Sequence, residues 1–121
     1  MYKLTDAEWA VLEALWEAPG APLGELVAAL RPAKNWSHNT VHTYLTRMEA
    51  KGLVVIDRTL EPHIYSYAVT REDCARSERN NLLNRVYGGA AGDLVAAFLK
   101  ESHITAEERD DLKKLLDEME V

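Results

Sequence analysis

The sequence has little cysteine and no long hydrophobic run. Cys74 is its single cysteine, so the chain cannot close an internal disulfide, and no second cysteine stands at metal-binding spacing. No segment approaches the roughly 20 apolar residues that a membrane-spanning helix needs, and the first residues lack the apolar stretch of a signal peptide. These absences predict a cytoplasmic protein without membrane insertion, in which Cys74 is an ordinary helix residue.

Common catalytic motifs are also missing. The sequence contains no HExxH, no P-loop, no GxSxG and no glycine-rich nucleotide loop, so we expect neither enzymatic activity nor a cofactor. His38 and His42 stand four residues apart and could offer two metal ligands from one side of a helix, but no third ligand lies nearby in sequence. We interpret them as surface or phosphate-facing histidines and predict no metal site.

Positive charge is scarce as well. The chain has 14 Lys and Arg against 20 Asp and Glu, which gives a net charge of −6 and argues at first against nucleic-acid binding. Residues 31–58, however, hold five basic and two acidic side chains, a net +3, whereas residues 71–121 hold eight basic and twelve acidic ones, a net −4. This distribution predicts a function that depends on a local basic patch.

Three helices are predicted in the first fifty residues. The first spans about residues 6–18, and the second lies near 22–31, with Pro22 in its first turn, where the missing N–H would have no partner. Ser37 can cap a third helix, which Lys51-Gly52 would end.

A β-hairpin follows these helices. Leu53–Arg58 and Ile64–Val69 are rich in β-branched and aromatic residues, and the polar segment Thr59–His63 between them is typical of a hairpin loop. Three helices followed by two strands is the order of a winged helix-turn-helix. We therefore predict a mainly α fold with a small β-hairpin and a DNA-binding domain over residues 1–70.

The third helix has a face suited to the major groove of DNA. At 100° per residue, Val41, Leu45 and Met48 define its buried side, and the opposite side is polar and poor in acid. Asn can pair with adenine, Arg with guanine, and a Thr methyl can touch thymine. The predicted DNA-binding residues are Asn39, Thr40, His42, Thr43, Thr46 and Arg47, with Arg58 as the wing residue that reaches a phosphate or the minor groove. The alternative, a winged-helix module that binds another protein, is favoured by the net acidity.

Residues 71–121 are predicted to form three more helices. These are Arg71–Tyr87, Ala91–Lys100 and a last helix that opens with the capping box Thr105–Glu108. Their apolar stripes are thin, and such small units bury too little surface to be stable alone, so we expect them to form a dimerisation region with a second copy. The predicted dimerisation residues are Leu94, Phe98, Leu112, Leu115, Leu116 and Met119. A monomer in which these helices fold back on the N-terminal domain is the alternative.

Several segments carry a resemblance to a known bacterial family. They are Leu4–Trp9, Leu15-Trp16, Thr40–Met48, Lys51–Leu53, Tyr87–Gly89 and Leu94–Phe98. Their joint order and spacing resemble the penicillinase-repressor family, which includes repressors of β-lactamase and methicillin-resistance operons and copper-responsive repressors. The resemblance implies a homodimer that binds inverted-repeat, double-stranded operator DNA and blocks transcription, with the C-terminal helices as the dimer element.

The resemblance also implies a proteolytic site. In the β-lactamase branch, a membrane sensor protease triggers cleavage before a phenylalanine in the penultimate helix. Phe98 matches it by position, so the cut would fall between Ala97 and Phe98, although Phe98 by itself is typical of a core aromatic. That branch has asparagine where Ala97 stands, and the paired cysteines of the copper-responsive branch are missing here.

Overall fold

The computed structural model describes residues 3–120, which form six helices and three short strands in two compact units. The first unit ends at Arg79 and the second begins at Asn80. The helices are α1 (Asp6–Glu17), α2 (Leu23–Leu30), α3 (His38–Ala50), α4 (Arg71–Tyr87), α5 (Ala91–Glu101) and α6 (Ala106–Glu118); the strands are β1 (Ala21–Pro22), β2 (Val54–Asp57) and β3 (Ile64–Tyr67). The predicted mainly α fold with a β-hairpin is confirmed.

The sheet has one strand more than the sequence predicted. Its order is β1-β3-β2 with antiparallel pairing, and β1 places Ala21 opposite Tyr65. The prediction that Pro22 lies in the first turn of α2 was wrong: Pro22 is the N-cap residue, with extended backbone at ψ 164°, and the helix begins at Leu23. Proline is tolerated in β1 because an edge strand can spare a backbone donor.

The first unit encloses a continuous hydrophobic core. The apolar side chains on the inner faces of α1, α2 and α3 are almost completely buried, and apolar side chains of β2 and β3 belong to the same core. Each such leucine or valine contributes about 1.5–3 kcal/mol through removal of apolar surface from water. The central buried residues are Val11, Leu12, Leu15, Leu26, Val27, Val41, Leu45 and Met48. This packing fixes which face of α3 remains outside.

The first turns of α4 belong to this core. Cys74, predicted to be a helix residue, is 0% exposed within α4, and Ser77 is buried one turn later. Burial raises the pKa of the Cys74 thiol, with a further contribution from the negative charges of Asp73 and Glu78. The thiol is therefore protonated at neutral pH and has no contact with solvent. The Trp16 indole N–H donates to the Val69 carbonyl over 2.9 Å and ties α1 to the start of this segment.

An ion pair joins the beginning of α1 to the end of α3. Glu8 completes the capping box with Thr5, and its carboxylate, only 6% exposed, accepts a hydrogen bond from Lys51 Nζ over 2.6 Å. Burial alone would raise the pKa of the Glu8 carboxyl, but the hydrogen bonds from Lys51 and Thr5 outweigh it, and the net pKa lies below the ordinary value of 4.5. Glu8 therefore stabilises the fold as the anion.

Substitution Glu8→Gln is expected to lower the free energy of unfolding by about 1–3 kcal/mol at neutral pH, since glutamine keeps the cap but loses the charge partner of Lys51. The folded-state pKa is depressed, so the stabilisation is complete above pH 4.5 and is lost as the pH falls through the lower folded-state value. Urea unfolding of both proteins at several pH values measures this. Glu108→Gln, in the exposed second capping box, is the matched control and should leave the midpoint unchanged. An equal effect of the two substitutions would contradict the role of Lys51.

In the second unit, α5 and α6 contribute no buried side chain, although both helices carry apolar residues at helical spacing. Within residues 3–120, no helix is long and apolar enough to span a membrane.

Candidate nucleic-acid interface

Helix α3 begins at a well-formed cap. The Ser37 hydroxyl accepts a hydrogen bond from the Thr40 backbone N–H over 3.2 Å, and the first turn contains no acidic residue. The first N–H groups of a helix and its dipole favour an anion at this end. The start of α3 is therefore compatible with a DNA phosphate.

One side of α3 is held in the core and the other is free. Val41, Leu45 and Met48 are each 0% exposed, as the helical period predicts. Five of the six predicted α3 residues are exposed, and Thr40 is partly buried. The exposed residues on this face are Asn39, His42, Thr43, Thr46 and Arg47. None of these side chains is acidic, so the face suits contact with a polyanion.

Two threonines on this face are fixed by the helix itself. Thr43 Oγ1 donates to the Asn39 carbonyl and Thr46 Oγ1 donates to the His42 carbonyl, each over 2.9 Å. A hydroxyl has one proton to donate, and here it is already used. These threonines can therefore offer a base edge an acceptor oxygen and a methyl group, whereas Asn39, His42 and Arg47 on the same face carry N–H donors.

The wing residue is engaged within the protein. Arg58 follows β2 and forms a two-point ion pair with Glu49 of α3, with Nη1 to Oε2 at 2.7 Å and Nη2 to Oε1 at 2.8 Å. The hydrogen bond from Arg58 lowers the pKa of the Glu49 carboxyl, and the same bond raises the pKa of Arg58. Arg58 thus lies beside α3 with a carboxylate on its guanidinium, and its role as the wing residue stays a prediction.

Sequence reasoning missed the partner of Arg58 and the aromatic contact at the α3 entry. Trp36 packs on Tyr44 with ring centroids 4.9 Å apart, and Lys34 Nζ lies 5.9 Å from the Trp36 ring. This contact joins the loop before α3 to the helix, and Lys34 lies beside the Trp36 ring in that loop. Trp36 lies before the N-cap of α3 and so outside the helix, and the helical period does not predict the position of its ring.

The two histidines of α3, His38 and His42, are both exposed. Among residues 3–120, no group of three or more His, Cys, Asp or Glu side chains is arranged to hold a metal ion.

The side chains predicted for dimerisation lie on α5, on α6 and, for Met119, at the C-cap of α6, and most of them are exposed to solvent. Leu94 and Leu112 are partly buried. The exposed ones are Phe98 (55%), Leu115 (59%), Leu116 (55%) and Met119 (57%). Ala97 and Phe98, the predicted cleavage position, lie inside α5 and not in a loop.

Comparison with known proteins gives consistent matches over most of the chain. Residues 4–118 match the model of a family described as Penicillinase repressor. The methicillin resistance regulatory protein MecI of Staphylococcus aureus (strain N315) is 29% identical over 117 residues, which cover 95% of this chain and 94% of the relative. The penicillinase repressor of Bacillus licheniformis is 26% identical over 116 residues, which cover 96% and 91%.

A solved structure supports the fold. It is the solution structure of the monomeric form of Bacillus licheniformis BlaI in complex with the blaP half-operator. The TM-score is 0.52 at 24% identity, and the match covers 60% of this chain and 88% of the solved one. The predicted winged-helix fold is confirmed by this similarity.

Proposed function

Because this chain belongs to the penicillinase repressor family, a family of transcriptional repressors and not of enzymes, we propose that it represses transcription by binding an inverted-repeat operator as a homodimer. The observation that carries the proposal is the outward face of α3, which is exposed, polar and free of acid between Asn39 and Arg47. Such a helix can enter the major groove and read base edges.

The distribution of charge supports DNA as the ligand. Residues 31–58, which include α3 and the start of the wing, carry a net charge of +3, whereas the rest of the chain carries −9. Phosphate contacts from Arg47, Lys34 and the N-terminus of α3 would position the helix, and side chains on its outward face would read the sequence. The relative BlaI, in the structure described above, is bound as a monomer to a half-operator, and two half-sites fit a two-fold dimer.

The exposed apolar side chains of the second unit support the proposed dimer. Phe98, Leu115, Leu116 and Met119 are each more than half exposed in the single chain. Exposed apolar side chains favour association, and a second copy that carries the same side chains is the partner that symmetry makes available. Two α3 helices spaced by one turn of DNA, about 34 Å, would then contact both halves of the operator together.

Salt dependence separates this function from the alternative, a winged-helix module that binds protein. Fluorescence anisotropy with a labelled promoter duplex should show affinity falling about a hundredfold between ~50 and ~200 mM salt if the dimer contacts about four phosphates. Absence of binding to promoter duplexes at low salt would overturn the proposal and favour the protein-binding module.

We further propose that a membrane sensor protease triggers cleavage between Ala97 and Phe98, and that this cleavage releases the DNA. The bond lies within α5, so a protease needs local unfolding of that helix, and α5 has no buried side chain to oppose it. Cleavage would separate α6 and its apolar residues from the DNA-binding unit. Mass spectrometry of the protein from induced cells should reveal a fragment that ends at Ala97, and persistence of the intact chain during induction would contradict it.

A further inference from the structure

The contact between the wing and α3 uses the same chemistry as a contact with DNA. The Arg58 guanidinium donates from both Nη atoms to both oxygens of Glu49, at 2.7 and 2.8 Å. A guanidinium fork binds a carboxylate and a phosphate in the same two-point geometry. Glu49 therefore occupies the donors that Arg58 would turn toward a phosphate.

Asp57, the acidic residue nearest to Arg58 in the sequence, has other partners. Asp57 Oδ1 accepts hydrogen bonds from the backbone N–H and the hydroxyl of Thr59, at 3.0 and 2.5 Å, and so shapes the turn after β2. Arg58, between these two residues, projects to Glu49 in the last turn of α3 instead. The ion pair thus connects the recognition helix with the wing.

Both partners are accessible to a competing anion. The Arg58 side chain is 53% exposed and the Glu49 side chain is 31% exposed. Exposed ion pairs contribute little to stability, so a phosphate can displace the carboxylate without unfolding anything. In the paired state the two charges cancel, and the wing attracts the DNA backbone less than a free arginine would.

We propose that Glu49 restrains Arg58 in the free protein and thereby lowers the affinity of the wing for DNA phosphate, which makes Glu49 a residue that sets binding strength without touching DNA. The inference rests on the proposed function. Because a phosphate contact carries no sequence information, Glu49 affects operator and random DNA alike. Glu49 therefore weakens the sequence-independent part of DNA binding.

The test is the near-isosteric substitution Glu49→Gln in the full-length protein. Anisotropy titrations should show about twofold to fivefold tighter binding to both an inverted-repeat promoter duplex and a random duplex. The plot of log affinity against log salt should become steeper by about 0.9 for each wing that gains a phosphate. Glu107→Gln, which changes the charge of an exposed glutamate on α6 by the same amount, is the control and should bind like the parent.

A second variant makes the result specific to the ion pair. In an Arg58→Gln background, Glu49→Gln should have no further effect, because the restrained group is gone. Unchanged or weaker binding by Glu49→Gln, or an equal gain in the Arg58→Gln background, would overturn the inference. If the parent protein binds no duplex at all, the proposed function fails instead, so the two failures are distinguishable.

Discussion

Truncation of two leucines on α6 is expected to convert the protein into a monomer. The double variant carries Leu115→Ala and Leu116→Ala. Because both chains of the dimer carry the two substitutions, the interface loses four large side chains. If each contributes about 1–2 kcal/mol, the dissociation constant of the dimer should rise by at least a thousandfold. Sedimentation equilibrium measures the change directly.

The same variant separates an interface from a core. Both leucines are more than half exposed in the single chain, so their truncation leaves no cavity in it. Thermal unfolding of the first unit should therefore be unaltered, while loss of the dimer weakens operator binding. Lys113→Ala, on the same helix and exposed, is the control and should remain dimeric. A parent protein that sediments as a monomer would contradict the dimer and favour the alternative in which the C-terminal helices fold back.

Replacement of Arg47 by alanine is expected to weaken operator binding by about 1–3 kcal/mol for each half-site if the guanidinium reads a base. That corresponds to a loss of roughly fivefold to 150-fold. Arg47 is exposed on α3, so the fold should be unaffected. Titration against operator and random duplexes of equal length measures the effect.

The pattern of loss identifies the contact that Arg47 makes. A base contact gives selective loss on the operator, whereas a phosphate contact gives an even loss on all sequences and a salt slope shallower by about 0.9. Arg85→Ala, an exposed arginine on α4, is the matched control for removal of one positive charge. Equal binding by Arg47→Ala and the parent would remove Arg47 from the interface.

Local signals made the helices predictable from the sequence. The caps at Thr5, Ser37 and Thr105 use hydrogen bonds that span only three residues, and the structure shows each of them. The inward residues of α3 follow the helical period, so its outward face could be deduced as well. A property set by near neighbours can be read from sequence.

Features that depend on distant residues could not be predicted. β1 contains two residues, and it exists because Ala21 pairs with Tyr65 across the first unit. The Glu49–Arg58 pair likewise requires the turn between α3 and β2 to bring a helix end to a strand end. The burial of Cys74 is of the same kind, because α4 is largely polar and only the packed first unit shows that Cys74 lies in its core. The division after residue 70 stays a prediction. The DNA-binding assignments on α3 and the wing remain predictions.

In the proposed complex, two copies of α3 read the two halves of one operator. Binding of the parent protein to a full inverted-repeat duplex and to a single half-site, compared at one salt concentration with stoichiometry from sedimentation, tests it most directly. We expect two chains per full site and much weaker binding to the half-site, because the dimer gains the second contact at no further cost of association. Equal affinity for the full site and the half-site, or no preference over random duplex, would contradict it.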